Sequence, residues 1–196
     1  MFRDDILLLL PALFIALFQV KFIWNKLPDS KEDDTEIAGE YSTIHHLKFA
    51  YLKSIGYSIF LIQLIFPILE IRTTFLSPIL LITGYIFVIT GFIISLMAIK
   101  TLNTNWTGMH EYRIKKGQQL ITTGIYKFIR HPIYLAVILE IAGFELVAKS
   151  WLVFPFLIIS FWIFNQHIKK EEKLLELKFG QEFIKYKNST KVKFYG

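Results

Sequence analysis

The chain has 196 residues, of which 54% are hydrophobic and nineteen are Phe, and it carries a formal net charge of +6 at pH 7. A soluble domain of this length does not need so much apolar surface, so the composition indicates a membrane protein. The absence of Cys excludes a disulfide, a thiol nucleophile and a cysteine-based metal site. No nucleic-acid-binding motif accompanies the basic charge, and we expect membrane lipids with anionic headgroups to be its partner instead.

Five apolar runs are candidates for membrane-spanning helices, which need roughly 20 residues to cross about 30 Å of hydrocarbon. The fourth and fifth runs are separated only by a short connection at Lys149 and Ser150, which predicts a helical hairpin. We therefore expect an all-α integral membrane fold with about five spans, forming a single domain over residues 1–196. The predicted spans are Ile6–Trp24, Phe49–Leu69, Leu76–Ile99, Pro132–Ala148 and Trp151–Phe164.

The first apolar run raises the question of a signal peptide. Asp4 and Asp5 stand where a signal peptide carries basic residues, and no small-residue cleavage pattern follows Phe18. We expect this run to remain in the protein as its first span.

The distribution of Lys and Arg predicts the orientation of the spans. These residues concentrate between Lys100 and Arg130 and again after Lys169. With five spans the two basic segments fall on the same side, which the positive-inside rule makes cytoplasmic. We expect a multi-pass protein whose cofactor-binding part, about residues 103–196, lies with the C-terminus at the cytoplasmic face.

The stretch GIYKFIRHPIYL, residues 124–135, groups polar side chains inside an apolar region. Pro132 is favoured at the first position of a helix and pushes the preceding residue, His131, out of the helical conformation. The start of such a helix offers backbone N–H groups and a positive partial charge. Around it stand Tyr126, Arg130, His131 and Tyr134. The cluster suits a polar, aromatic and partly anionic ligand; an interfacial belt of Tyr and Arg is the alternative.

A second polar cluster follows the fifth span. His167 and Glu171 are four residues apart and therefore share one helical face. Gly180 is the expected end of this helix, because Gly is the usual residue beyond a helix C-terminus. A solvated helix end would explain an isolated KKEEK, but two polar clusters at the cytoplasmic ends of neighbouring spans favour a shared site.

Polar residues within the spans are further candidates, because they are costly in lipid unless they face a cavity or a partner. Glu140 lies deep in the fourth span and is expected in the interior of the bundle, whereas Glu145 lies near the outer end, where water can reach it. Lys53 and Gln63 in the second span are weaker examples. We expect no metal site, because there is no HExxH pattern and the adjacent pair His45–His46 cannot share a helical face.

The two clusters together carry a family resemblance. GIYKFIRHPIY, followed after about forty residues by EEKLLELKFGQEFIKY, resembles the isoprenylcysteine carboxyl methyltransferase family of integral-membrane enzymes. The family signature is an Arg-His-Pro-x-Tyr group followed by a Glu-Glu pair and a Phe-Gly-x-x-Tyr-like tail. The resemblance implies an enzyme that moves a methyl group from S-adenosylmethionine to a lipophilic acceptor entering from the bilayer.

The resemblance also implies which residues form the site. The loop before the fourth span, together with Tyr126, would line the adenosine, the start of the fourth span would hold the cofactor, and Glu171 would meet its polar groups. The cofactor residues implied in this way are Gln118, Gln119, Leu120, Ile121, Tyr126, His131, Pro132, Ile133, Tyr134 and Glu171.

Two positions depart from the family pattern. The motif usually continues Tyr-x-Gly, and here Ala136 replaces the Gly; the family also has an Arg, associated with the substrate carboxylate, where this chain has His167. A guanidinium binds a carboxylate with two parallel hydrogen bonds that imidazole cannot reproduce. We expect His167 to contact the acceptor as a base or hydrogen-bond partner, with a histidine simply hydrogen-bonded at the membrane interface as the alternative. Arg130 is the other catalytic candidate and Glu140 the other acceptor-contacting candidate.

Two other functional classes remain open. An NADPH-dependent membrane reductase on a related scaffold is disfavoured, because no extra basic group is evident for a 2′-phosphate. A non-catalytic membrane scaffold or carrier is disfavoured by the presence of His131, Tyr134 and Glu171. Binding of S-adenosylmethionine separates a methyltransferase from both.

Overall fold

The computed structural model describes residues 7, 9–15, 17–18, 35–38, 59, 62–63, 66, 68–72, 75–106 and 113–190. These residues are mostly helical, in agreement with the predicted fold class. The elements in chain order are β1 (Thr35–Ala38), α1 (Ser77–Leu102), β2 (Arg113–Lys115), α2 (Pro132–Val147), α3 (Val153–Phe179) and α4 (Gln181–Ser189). Short 3-10 helices lie at Asn103–Asn105 and Gly124–Lys127.

The helix α1 corresponds to the third predicted span. Its 26 residues give a length of about 39 Å at a rise of 1.5 Å per residue. Ile79, Ile82, Ile86 and Ile93 are exposed along it, as expected for a surface that faces lipid. Within the described part of the chain, Ser77–Asn105 is the one stretch that is long and apolar enough to cross a membrane.

The remaining predicted spans are tested only in part. α2 and the first half of α3 form the helices expected for the fourth and fifth spans, and the short connection between them confirms the predicted hairpin. The first predicted span lies partly, and the second mostly, outside the described residues, although residues 10–15 are helical. The number of spans therefore stays a prediction, as does the role of Lys53 and of His45–His46, which lie outside the described residues.

The helices α1 and α2 cross at glycines. A Cβ atom on Gly84 would lie 2.8 Å from the carbonyl oxygen of Gly143, and one on Gly143 would lie 2.7 Å from that of Gly84. A Cβ on Gly91 would lie 2.7 Å from the carbonyl oxygen of Ala136. Because backbone atoms face backbone atoms, a larger residue at any of these positions would force the helices apart.

The turn between α2 and α3 is fastened by residues that precede α1. The N–H of Ile71 donates to the carbonyl oxygen of Lys149 (2.6 Å), and the N–H of Trp151 donates to that of Leu69 (3.0 Å). Lys149 has a positive φ of 50°, which reverses the chain direction within a few residues. These contacts hold the hairpin closed at the end of α2 that lies away from Pro132.

The helix α3 runs without interruption from an apolar first half into a charged second half. Ser160, Phe164, Ile168 and Glu172 are buried along it at intervals of four residues, so one stripe of the helix faces the rest of the protein. The helix ends at Gly180, whose φ of 49° lies in the left-handed region that favours glycine. Both the charged extension and its end at Gly180 are confirmed.

A two-stranded antiparallel sheet departs from the all-α prediction. In it Ile37 pairs with Ile114 and Ala38 pairs with Arg113. Lys178 near the end of α3 also forms an ion pair with Glu36 of β1. The strands have only four and three residues, too few to show the alternation by which a strand is recognised in sequence.

Candidate cofactor-binding site

The site begins where the chain enters α2. His131 has a φ of −126° and a ψ of 62°, outside the helical region, and Pro132 starts the helix in the next position, so the predicted break at His131 is confirmed. No side chain caps the first turn of α2, whose backbone N–H groups have no acceptor within the helix. The preceding 3-10 helix starts at Gly124, whose φ is +57° and which packs against Thr101 of α1. The helix start is therefore positioned from the end of α1.

A buried ionic cluster forms around Glu172 of α3. Arg130 Nε and His131 Nε2 both donate to Glu172 Oε1 at 3.0 Å, and Lys187 Nζ of α4 donates to Glu172 Oε2 at 2.6 Å. The side chains of Arg130 and His131 are 3% and 4% exposed, and that of Glu172 is 11% exposed. One carboxylate thus brings together the segment before α2, the middle of α3 and the last helix.

The charges within this cluster stabilise one another. Burial raises the pKa of Glu172, but hydrogen bonds from His131 and Lys187 and the charges of His131 and Arg130 outweigh it and lower the pKa to about 2. Burial lowers the pKa of His131, but hydrogen bonds to Glu171 and Glu172 and their charges outweigh it, and the net pKa is raised. At neutral pH Glu172 is therefore a carboxylate bound by the cations Arg130 and Lys187, and the raised pKa of His131 favours its protonated form.

Glu171 lies on the other side of the His131 ring. Its Oε2 atom is 3.5 Å from His131 Nδ1, and its side chain is 44% exposed, four times as much as that of Glu172. The imidazole is therefore held between two carboxylates of which only Glu171 is accessible. Of the pair, Glu171 is the one that can meet a ligand.

The last helix, α4, closes over the segment that precedes α2. Arg130 Nη1 donates to the carbonyl oxygen of Lys187 (3.1 Å), and the hydroxyl of Tyr186 donates to the carbonyl oxygen of Tyr126 (2.8 Å). Burial raises the pKa of Tyr126 and raises that of Tyr186 to about 12, so both phenols stay protonated. Arg130 is consequently fixed by Glu172 and Lys187, and we expect it to hold the site together instead of touching an acceptor, in contrast to the catalytic role predicted for it.

Aromatic rings connect the start of α2 with α3. The ring centroid of Tyr134 lies 5.8 Å from that of His131, 5.1 Å from that of Phe164 and 6.5 Å from that of His167. His167 is half-buried and lies one turn before Glu171. The structure therefore brings His131, Tyr134, His167 and Glu171 into one region, as the two sequence clusters predicted.

The loop predicted to line the adenosine makes its own local contacts. Gln118 Oε1 accepts a hydrogen bond from the N–H of Lys115 (2.9 Å), and the N–H of Gln119 donates to Asn105 Oδ1 (2.7 Å). Leu120 and Ile121 are half-buried and belong to an irregular stretch. These contacts run to β2 and to the 3-10 helix that follows α1, and the role of the loop stays a prediction.

Glu140 and Glu145 both lie inside the protein. Glu140 is 8% exposed, which confirms its expected burial, and it packs against Gly91 of α1. Tyr134 and Ile138 of the same helix instead form a cluster with α3. Glu140 therefore faces a different neighbour from the site residues, nine residues or about 13 Å along α2 from His131, which weakens the proposed contact with the acceptor.

The expectation that water reaches Glu145 is wrong. Its side chain accepts a hydrogen bond from Gln63 Nε2 (3.1 Å), and Gln63 also donates to Ser150 Oγ (3.0 Å). Ser150 Oγ in turn donates to the carbonyl oxygen of Ile68 (3.1 Å). Because Glu145, Gln63 and Ser150 are all at most 4% exposed, the three form a closed polar cluster at the far end of α2.

Comparison with known proteins decides the family. The family model for isoprenylcysteine carboxyl methyltransferases matches residues 80–177, half of the chain. The chain belongs to the isoprenylcysteine carboxyl methyltransferase family. The matched residues include α2, His131, His167 and the Glu171–Glu172 pair, whereas α4 lies beyond the match.

Relatives with known names are distant. The chain is 30% identical over 130 residues to the protein-S-isoprenylcysteine O-methyltransferase of Saccharomyces cerevisiae, covering 65% of this chain and 54% of that protein. It is 31% identical over 112 residues to the enzyme of the same name from Dictyostelium discoideum, covering 55% of this chain and 46% of that protein. The chain thus spans about half the length of the curated relatives it matches.

A solved structure shares the fold. The eukaryotic intramembrane Ras methyltransferase of this family superimposes with a TM-score of 0.57 at 22% identity, covering 76% of this chain and 53% of that chain. At this identity the superposition shows the fold alone.

Three residues of the site were not predicted from the sequence. Glu172, Tyr186 and Lys187 form the contacts that fasten α3 and α4 to the start of α2. Of the pair Glu171–Glu172, only Glu171 was predicted to belong to the site. A buried Arg-His pair needs an anionic partner, and that requirement is the signal by which the second carboxylate could have been found.

Proposed function

We propose that this protein is an integral-membrane methyltransferase that uses S-adenosylmethionine and acts on a lipophilic acceptor reaching it from the bilayer. The proposal is supported by family membership and by one observation that carries it. His131 and the accessible carboxylate of Glu171 lie together beside the uncapped first turn of α2. We further propose that this end of the multi-pass bundle faces the cytoplasm, since the basic residues are concentrated there.

The chemistry of these groups fits the cofactor. S-adenosylmethionine carries an ammonium group, a carboxylate, a sulfonium and an adenine. Glu171 can accept the ammonium, and the N–H groups of the first turn of α2 can bind a carboxylate. The ring of Tyr134 offers an aromatic face, which attracts a cation such as a sulfonium.

The methyl transfer itself needs positioning more than acid–base chemistry. The bound cofactor supplies a methyl group on a sulfonium, and the acceptor must be held in line with it at about 3–3.5 Å with water excluded. In this chain Tyr134 and Phe164 provide apolar walls next to the site. Glu171, His131 and Tyr134 would orient the cofactor against those walls.

His167 is the residue that we expect to meet the acceptor. It shares a face of α3 with Glu171 and lies next to Tyr134. An amine, phenol or thiol acceptor would pass its proton to the imidazole, whereas a carboxylate acceptor has none to lose. The acceptor class therefore depends on whether His167 acts as a base.

Equilibrium binding of S-adenosylmethionine to the detergent-purified protein tests the cofactor. We expect saturable binding to the wild type and a loss of affinity of at least about tenfold in Glu171→Ala, because a charge-assisted contact is removed. Glu176→Ala, an exposed residue of the same helix, is the matched control and should bind as the wild type does. Absence of binding to folded wild-type protein would reject the proposal and direct the search to NADPH.

Labelled methyl transfer to a panel of acceptors tests His167. The panel contains a prenylated cysteine carboxylate, a phospholipid amine and a lipophilic phenol. If His167 is a base, His167→Gln lowers kcat for the amine and the phenol, because glutamine cannot take up the proton that these acceptors lose. His167→Arg should favour the carboxylate. Unchanged turnover and acceptor preference in both variants would exclude an acceptor-contacting role.

A further inference from the structure

Glu172 differs from its neighbour Glu171 in its exposure and in the number of basic side chains that it binds. It is buried where Glu171 is accessible, and it binds three basic side chains from two other parts of the chain. They belong to Arg130 and His131, just before α2, and to Lys187, near the end of α4. Oε1 accepts two of these contacts and Oε2 accepts one, so the chain itself occupies three of the roughly four acceptor sites of the carboxylate. The main partners of Glu172 are therefore other residues of the protein.

The first effect of Glu172 is on the His131 ring. Glu172 Oε1 binds Nε2 at 3.0 Å, which leaves Nδ1 turned toward Glu171 Oε2 at 3.5 Å. Without this anchor the ring could rotate about its side-chain bonds, and the contact between His131 and Glu171 would be lost. The groups that contact the ring are Glu171, Glu172 and the ring of Tyr134, and the Arg130 guanidinium binds the same Glu172 oxygen as the ring does.

The second effect is on α4. Lys187 is tied at both ends, because its Nζ atom binds Glu172 Oε2 (2.6 Å) and its carbonyl oxygen accepts from Arg130 Nη1 (3.1 Å). Arg130 is itself bound to Glu172 Oε1. The position of the nine-residue helix α4 therefore depends on a carboxylate that belongs to α3.

We propose that Glu172 is a positioning residue of the cofactor site: it orients His131 toward Glu171 and fastens α4 to the start of α2, without touching the cofactor. The part of this inference that concerns the cofactor rests on the proposed function. The part that concerns His131 and α4 does not, and each part has its own measurement.

Hydrogen–deuterium exchange of α4 in the full-length, cofactor-free protein tests the fastening. Glu172→Gln keeps the shape but removes the charge, and we expect exchange of the Gln181–Ser189 amides to rise at least about tenfold because the buried cations lose their counter-ion. Lys187→Met removes the ion pair between Lys187 and Glu172 by changing a half-exposed side chain. It therefore tests the same contact even if Glu172→Gln fails to fold. Glu176→Gln should leave α4 unchanged. Unaltered exchange in both Glu172→Gln and Lys187→Met would overturn the inference.

Binding of labelled S-adenosylmethionine and nitrogen-15 spectra of the histidine side chains test the positioning. We expect Glu172→Gln to weaken binding at least about tenfold and to shift the His131 signals, and Glu172→Asp, which keeps the charge, to restore part of both. Weakened binding with His131 and α4 unaltered would mean that Glu172 touches the cofactor, which contradicts the inference. If α4 loosens and His131 shifts while the wild type binds no S-adenosylmethionine, the proposed function fails but the positioning of His131 and α4 stands.

Discussion

The two ends of α2 each carry a buried polar cluster, and the clusters are built differently. At the start, Arg130, His131 and Glu172 form an ionic cluster with accessible Glu171 beside it. At the far end, Glu145 is bonded to Gln63 and Gln63 to Ser150, with each of the three at most 4% exposed. The first cluster has the accessible carboxylate of Glu171 beside a helix start that no side chain caps, whereas the second uses its groups to fasten segments of the chain. A buried polar cluster therefore indicates a binding site only where an accessible polar group, here Glu171, accompanies it.

The crossing of α1 and α2 supports both ends, and breaking it should have the largest effect. In Gly143→Leu the new side chain would meet the backbone of Gly84 and Val88 at 2.7 Å from its Cβ alone. We expect a loss of unfolding free energy at the upper end of the roughly 1–3 kcal/mol found for overpacking, or beyond it. Thermal unfolding in detergent, followed by tryptophan fluorescence, measures it, and cofactor binding should fall as well. Gly117→Leu adds a side chain in open space as a control for size, although at a positive φ; equal losses in the two variants would show that the crossing is not responsible.

Substitution of Glu145 should show that the two clusters of α2 act independently, because it should lower stability without lowering cofactor affinity. Glu145→Ala deprives Gln63 Nε2 of a buried acceptor, which costs about 1–3 kcal/mol of unfolding free energy. Because Glu145 is fourteen residues from His131, or about 21 Å along the helix, affinity for S-adenosylmethionine should stay within about twofold. A large loss of affinity in folded Glu145→Ala protein would show that the far cluster takes part in the site.

The pH dependence of α4 should report on the ionic cluster alone. The pKa of Glu172 is lowered from 4.5 to about 2, so its contribution to stability is complete above pH 4.5 and is lost as the pH falls toward 2. The pKa of His131 is raised above 6.5, so its contribution is complete below pH 6.5 and is lost as the pH rises through the folded value. Amide exchange in α4, corrected for the intrinsic rate, should therefore be slowest between about pH 5 and 6. A flat profile between pH 4 and 8 would contradict these pKa directions.

The smallest expected effect concerns a single hydrogen bond. Tyr186→Phe removes the bond from the hydroxyl to the carbonyl oxygen of Tyr126, at a cost of about 1 kcal/mol. Exchange of the α4 amides should rise by about fivefold, less than in Glu172→Gln, because the ionic contacts remain. Tyr186→Phe with an effect as large as that of Glu172→Gln would mean that the hydroxyl, and not the carboxylate, holds α4.

The sequence predicted those features that depend on neighbouring residues. Pro132 after His131 located the start of α2, Gly180 located the end of α3, and the apolar run before Leu102 located α1. Each of these signals acts within one turn of a helix or along one continuous run. The i, i+4 spacing of His167 and Glu171 likewise sufficed to place both on one face.

The sequence failed where the partner lies far along the chain. Glu172 is forty-two residues from Arg130 and Glu145 is eighty-two from Gln63, and no local pattern shows that such residues meet. Glu145 looked accessible because its position near a helix end was known but its neighbours were not. The short strands β1 and β2 escaped notice for the same reason, since each is stabilised by the other and not by its own sequence.

Because α3 is one continuous helix, it fixes the distance between its apolar half and the side chains of His167 and Glu171. Phe164, His167 and Glu171 follow one another at a rise of 1.5 Å and a rotation of about 100° per residue, so their heights above the apolar stretch cannot vary independently. Adding or deleting a single residue after Phe164 would turn both His167 and Glu171 away from α2 together. If the tail of the proposed lipophilic acceptor lies along the apolar half, its polar end has to meet His167 and Glu171 at one depth. On that basis we expect the protein to discriminate between acceptors by the length of the tail.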